Sequence, residues 1–162
     1  FVAGLALPMN ETLSRINNSD SDTNSNNMFV TLFVGRIDMK TLHMDFCNAG
    51  HNPLVILPPD GEPYFLKAKA ILAIGLFEDF TYEAESLDLK PGTRIIAYTD
   101  GVNEAENTDM DLYGNERLME TIRQMDRNMD GNTAVNLLFD SVKNFANGNP
   151  QNDDITIMSI LV

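Results

Sequence analysis

Apolar and polar residues alternate in short stretches through the first half of the chain, and apolar residues recur at helical spacing in the second. "MFVTLFVGRID", "HMDFCNAG", "PLVILPPDG" and "RIIAYTD" are β-rich segments separated by turn chemistry. "RIDMKTLHMDF" predicts a hairpin turning over Asp38–Thr41, and "PPDG" and "KPG" predict two further turns. In "GNERLMETIRQM", Leu118, Ile122 and Met125 share one helical face; in "NTAVNLLFDSVKNFA", Val135, Leu138, Phe139, Val142 and Phe145 do the same. Both predict amphipathic helices. "NGNPQNDD" breaks the second, and the alternating "ITIMSILV" predicts a closing strand that completes a sheet begun much earlier. A block of strands, then helices, then one returning strand predicts an α+β fold with helices packed on antiparallel sheets.

Upstream of that block, "FVAGLALP" has no polar lead-in and reads as the interior of a longer helix. "NETLSRIN" (Asn10–Asn17) predicts a short amphipathic helix with Leu13 and Ile16 on one face, Asn10 as its cap and Glu11 in its first turn. The run "NNSDSDTNSNN" (Asn17–Asn27) offers no apolar face and predicts a loop. No internal repeat or linker interrupts the pattern, so residues 1–162 are read as one domain.

Charge narrows the function classes. With 24 acidic and 11 basic residues the chain carries a formal charge of −13, which repels phosphate backbones and argues against nucleic acid as a partner. Carboxylates that converge in a cleft would instead attract divalent cations. The single cysteine, Cys47, permits no internal disulfide and reads as a small buried hydrophobe, which fits a cytoplasmic location. No apolar run reaches transmembrane length, so direct membrane insertion of this stretch is not expected; a tether elsewhere in the parent protein would not show here.

The candidate chemistry lies at strand ends. Asp100 stands where the apolar strand Ile95–Tyr98 gives way to a turn containing Gly101, and Asp153 and Asp154 immediately precede the strand Ile155–Ile160. If those strands are neighbours, their acidic ends share one rim of the sheet, where oxygen-only clusters suit Mg²⁺ or Mn²⁺. Acidic residues at strand ends are also common turn formers, and spacing alone leaves both readings open. Glu104 shares a face with Asp100 if the turn coils helically, doubling the local negative charge.

The segments "MFVTLFVGRIDMKTLHMDFCNAGHNPLVIL", "LKPGTRIIAYTDGVNEAEN", "YGNERL" and "QNDDITIMSILV" resemble consecutive parts of the metal-dependent PPM (type 2C) protein phosphatases, in the bacterial branch typified by sporulation stage II protein E. The resemblance runs from about Met28 to the end of the chain. It implies a sandwich of two antiparallel β-sheets flanked by helices, with a dinuclear Mn²⁺ or Mg²⁺ centre whose bound water attacks phosphoserine or phosphothreonine. By resemblance Asp100 of "YTDG" and Asp153 of "NDDIT" match metal ligands, and Glu104 falls where some relatives place an acid for a weaker third ion. Gly101 would let the chain turn close to the metals, and Asp154 would orient the turn or a metal-bound water. His51 of "NAGHNP" would support the site from behind the ligands, in a place where this branch usually carries histidine. A structural role in its turn is the competing reading. His43, on an alternating strand, has no partner that the sequence names and reads as a surface or half-buried residue.

Two motifs of the family do not occur: a "GD" followed by aromatic residues, and "DxSGxG" before a long helix. "FVAGLALP" would be the remnant of that helix, which makes the domain N-terminally incomplete; Asp20 and Asp22 do not replace the lost ligands. The expected function is therefore a metal-dependent serine/threonine phosphoprotein phosphatase domain of a bacterial signalling protein, weak or inactive in this chain alone. Implied partners are a phosphoprotein substrate such as an anti-sigma-factor antagonist, an upstream sensor or regulatory domain, and a second copy of the chain joined through exposed sheet edges. The alternatives are a non-catalytic interaction module on the same fold and, behind it, a calcium-stabilised β domain.

Overall fold

The computed structural model describes residues 2–19, 28–69 and 72–162. The loop expected over Asn17–Asn27 lies largely outside them, as do Asp20 and Asp22. The described residues form two compact units, Phe1–His51 with Lys67–Asp88, and Asn52–Leu66 with Leu89–Val162.

The first unit holds helix α1 (Val2–Ser19) and strands β1 (Leu32–Ile37), β2 (His43–Ala49) and β5 (Glu85–Asp88). The three strands form an antiparallel sheet in the order β1-β2-β5. The predicted hairpin joins β1 to β2, with Arg36 opposite Asp45 and Ile37 opposite Met44. Its turn is closed by Asp38 Oδ1, which accepts from the Lys40 and Thr41 amides at 2.8 and 3.2 Å. Those amide bonds favour the ionised form and hold the Asp38 carboxyl below its usual range. Val2, Ala6, Cys47, Ala49, Ile74 and Tyr82 form the core of this unit. Cys47 is a buried hydrophobe as expected, and burial pushes its thiol up.

At two positions a polar side chain reaches a partner distant in sequence: this overturns the expected cap at Asn10 and supplies the partner that the sequence does not name for the half-buried His43. Asn10 does not cap a helix. It sits inside α1, fully buried, where Nδ2 donates to the Phe77 and Glu78 carbonyls at 2.8 and 3.2 Å and Oδ1 accepts from the Gly75 amide at 2.8 Å. His43 does have partners: Nδ1 lies 2.6 Å from Asp88 Oδ1 on the facing strand, and Nε2 lies 3.5 Å from Asp45 Oδ1.

The second unit holds strands β3 (Val55–Leu57), β4 (Tyr64–Phe65), β6 (Arg94–Tyr98) and β7 (Ile157–Leu161), with helices α2 (Asp100–Asn103), α3 (Gly114–Arg123) and α4 (Gly131–Ala146). The sheet order is β4-β3-β6-β7, antiparallel throughout, so the closing strand pairs with β6 as the alternation predicts. It starts at Ile157, two residues later than expected. Val55, Leu57, Ile96 and Tyr98 from the sheet pack with Leu118, Ile122, Leu138 and Val142 of α3 and α4. Asp130 caps α4, its Oδ1 accepting from the Thr133 amide at 3.0 Å, and Asn147 ends the helix in the left-handed conformation at φ 49°. Arg94 is buried at the start of β6, donating from Nη1 to Ser159 Oγ at 2.8 Å and from Nη2 to the Met129 carbonyl. It thereby ties both strands to the residue before the α4 cap.

Two predictions follow from the first unit's polar contacts. Asn10→Leu leaves the buried Gly75 amide without its acceptor and should cost about 2–4 kcal/mol in urea unfolding; a loss under about 0.5 kcal/mol contradicts the anchoring role. The hydrogen bond to Asp88 is the largest cause holding the His43 imidazolium above its ordinary pKa, so its stabilisation is present at acid pH and is lost as pH rises through that raised value. An NMR titration should place the His43 midpoint above about 6.5, and Asp88→Asn should lower it; a wild-type midpoint at or below that value contradicts the pairing.

Candidate functional site

Antiparallel pairing of β6 and β7 sets Tyr98 opposite Ile157, so the C-terminal end of one strand meets the N-terminal approach to the other. The ladder continues one step further, the Thr99 amide donating to the Thr156 carbonyl at 3.1 Å. The Thr99 hydroxyl then brackets the crossing: it donates to the Asp154 carbonyl at 2.8 Å and accepts from the Thr156 amide at 2.9 Å. Asp100 on one side and Asp153 and Asp154 on the other are thereby brought to one rim of the four-stranded sheet.

Beyond Thr99 the chain coils at once into α2, and the Glu104 amide donates to the Asp100 carbonyl at 2.8 Å. This is the helical turn that the Asp100–Glu104 spacing requires. Asn52 Nδ2 donates to Asn103 Oδ1 at 3.1 Å, tying down the last residue of the turn. Tyr98 and Val102 anchor the two ends of this segment in the core, and burial pushes the Tyr98 hydroxyl up to about 12.

Gly101 is needed for close approach rather than for a turn with positive φ. A Cβ built on it would lie 2.5 Å from the Asp154 carbonyl oxygen and 3.0 Å from that of Asp153. Only glycine lets the first turn of α2 pass so near the Asp153–Asp154 backbone. Each acidic turn is also closed locally: Asp100 Oδ1 accepts from the Gly101 amide at 3.1 Å and Asp153 Oδ1 from the Asp154 amide at 2.7 Å. Gln151 Nε2 donates to the Asp153 carbonyl at 2.8 Å.

The side chains of Asp100, Glu104, Asp153 and Asp154 are exposed. Hard carboxylate oxygens are the right donors for Mg²⁺ or Mn²⁺, but among the described residues no group of three or more His, Cys, Asp and Glu side chains is placed to hold a metal ion. The donor chemistry fits such an ion and the number of converging donors does not fit a dinuclear centre. His51 belongs to the first unit. Its backbone is clasped by the buried Asn48 side chain, which donates to the His51 carbonyl and accepts from its amide, both at 2.9 Å. Thr99 and Asn52 are the site residues that sequence reading overlooked. A threonine at a strand end and an asparagine after His51 carry no periodic signal, and only the pairing gives them a role.

A groove of about 560 Å³ adjoins the rim, bounded by Gly101, Glu104 and Asp153 on one side and the last turn of α4 on the other.

The Stage II sporulation protein E (SpoIIE) family matches residues 2–162. Protein IcfG of Synechocystis is 34% identical over 134 residues, 82% of this chain and 20% of that protein. The phosphoserine phosphatase RsbU of Bacillus subtilis is 27% identical over 110 residues, 63% of this chain and 32% of that protein. The chain thus spans between about a fifth and a third of these curated relatives. Among solved structures, the SiaA PP2C domain of Pseudomonas aeruginosa superposes with a TM-score of 0.74 at 22% identity, covering 92% of this chain and 57% of that one. The phosphatase domain of SpoIIE from Bacillus subtilis, presoaked with Mn, gives 0.66 at 18% identity, covering all of this chain and 75% of that one. The two antiparallel sheets with helices are those of PP2C phosphatase domains.

The role given to Gly101 has a test whose sign discriminates. Helix propensity alone makes Gly101→Ala stabilising by up to about 1 kcal/mol, whereas the contact with the Asp154 carbonyl makes it destabilising by about 1–3 kcal/mol. Urea unfolding should show the loss, together with shifted Asp153 and Asp154 amide resonances; unchanged or increased stability contradicts the close approach. Taken with the acidic rim and the shared fold, the match over almost its whole length means that the chain belongs to the SpoIIE family of PP2C-type phosphatase domains.

Proposed function

We propose that residues 1–162 serve as part of one Mn²⁺- or Mg²⁺-dependent phosphatase domain, in a bacterial signalling protein, that hydrolyses phosphoserine or phosphothreonine in a phosphoprotein. The observation that carries this reading is the β6–β7 crossing, which holds Asp100 and Asp153 at one rim with Gly101 against the Asp153–Asp154 backbone. In this reading Asp100 and Asp153 are the chain's contribution to holding the metal, with Glu104 serving a weaker ion. Asp154 fixes the turn through its carbonyl. The metal would supply the activated water; two carboxylates alone make its binding weak, so this chain by itself should turn over slowly or not at all.

The relative RsbU, named as a phosphoserine phosphatase, supports phosphoserine as the substrate class, and a small phosphoprotein such as an anti-sigma-factor antagonist is the partner we favour. Coupling to a sensor or regulatory domain, self-association through sheet edges and a cytoplasmic site of action belong to the same proposal. No helix among the described residues is long and apolar enough to cross a membrane. A second reading, a non-catalytic interaction module on the phosphatase fold, is favoured by the absence of a three-donor metal group among the described residues.

Hydrolysis of p-nitrophenyl phosphate and of a phosphoserine peptide separates the two. Mn²⁺-dependent turnover is expected in a longer chain carrying residues upstream of Phe1, falling to background with Asp100→Asn, and is expected to be weak or absent in this chain. A folded longer chain with no Mn²⁺-dependent turnover of either substrate contradicts the enzyme reading and supports the interaction module.

A further inference from the structure

The groove beside the acidic rim is lined by apolar as well as acidic residues. Ala105 and Val142 line it together with Glu104, Glu106 and Asp153, and Lys143 is the one basic residue in its lining. Its wall is fixed by Asn149, whose Nδ2 donates to the Glu106 and Asn107 carbonyls at 3.1 and 3.2 Å. The last turn of the 16-residue helix α4 also borders it, and the negative end of the helix dipole adds to the field of the carboxylates. The Lys143 ammonium lies over the Phe139 ring, 5.6 Å from its centroid.

Apolar residues beside carboxylates suit a side chain with a methylene stem and a cationic head, which covers the apolar residues with one part and reaches an acid with the other. Glu106, which is not among the acids proposed for the metal, is the carboxylate such a head would reach. A bare metal ion would use only the acids, and an apolar ligand only the apolar residues. We infer that this groove seats a lysine or arginine of the phosphoprotein substrate, close in sequence to its phosphoserine, and so selects substrates by a basic flank. The inference rests on the phosphatase reading, since it is the neighbouring rim that would receive the phosphoserine.

Fluorescence anisotropy with Mn²⁺ present tests it without turnover, using labelled, unphosphorylated ten-residue peptides that carry either arginines or glutamates beside a serine. The arginine peptide should bind at least about tenfold more tightly than the glutamate peptide. Glu106→Lys should abolish that preference and Lys143→Glu should enlarge it, two opposite movements that a purely structural effect would not produce. Equal affinity for the two peptides, or a preference that neither folded variant changes, overturns the inference; if Glu106→Lys does not fold, Lys143→Glu alone decides. Because nothing is hydrolysed in this measurement, a basic preference with no phosphatase activity in the folded longer chain would defeat only the enzyme reading. Phosphatase activity without the preference would defeat only this one.

Discussion

The antiparallel crossing of β6 and β7 is the constraint on which the candidate site depends. Asp100 and Asp153 are more than fifty residues apart in the chain, and no local propensity could bring them together. Backbone pairing does so because, in an antiparallel ladder, the exit of one strand is necessarily the entrance of the other. The Thr99 hydroxyl fixes the crossing where the ladder ends, satisfying one donor and one acceptor of the opposing turn with a single side chain. α4 has to lie where it does for the same reason: it covers the face of the sheet that β6 supplies with Ile96 and Tyr98, and its end delivers the chain to the acidic turn.

Much of this arrangement was legible in the residues because it follows from periodicity. The Asp38 hairpin, the two amphipathic helices and the returning strand all declare themselves through spacing, which selects the buried Leu118, Ile122, Met125, Leu138 and Val142; Val135 and Phe139, which it also selects, are only half-buried, and the fully buried Ala134 is one it passes over. Strand β4 is two residues long and β5 carries a single apolar residue, Leu87, so neither has enough pattern to stand out from a turn. Asn10 was misread as a cap, and the partner of His43 could not be named, because the partners lie 67 and 45 residues away in sequence. An asparagine ahead of a helical pattern is the ordinary signature of a cap; here it lies within a helix that begins eight residues earlier, at Val2.

Gly101 shows how a correct identification can rest on an incomplete reason. Its place just after a strand end and Asp100 suggests a turn residue, yet it is helical, and its lack of a side chain matters because of a carbonyl contributed by the opposing loop. No single-chain window contains that information. The family resemblance does carry it, since a motif records the outcome of a long-range contact without displaying the contact.

The exposure of the carboxylates explains how the fold sustains so much negative charge at one rim. Four acids in close succession around Asp100, Glu104, Asp153 and Asp154 would be costly in a dry interior, but water screens exposed charges and keeps their repulsion small. Their geometry, moreover, does not depend on pairing with cations. Asp100 and Asp153 each use Oδ1 on the amide of the following residue, while Thr99, Gly101 and the ladder itself hold the two turns together. The acids therefore serve the scaffold as well as carrying the charge: one oxygen of Asp100 and one of Asp153 close their own turns, while backbone contacts and a threonine join the two turns at the rim.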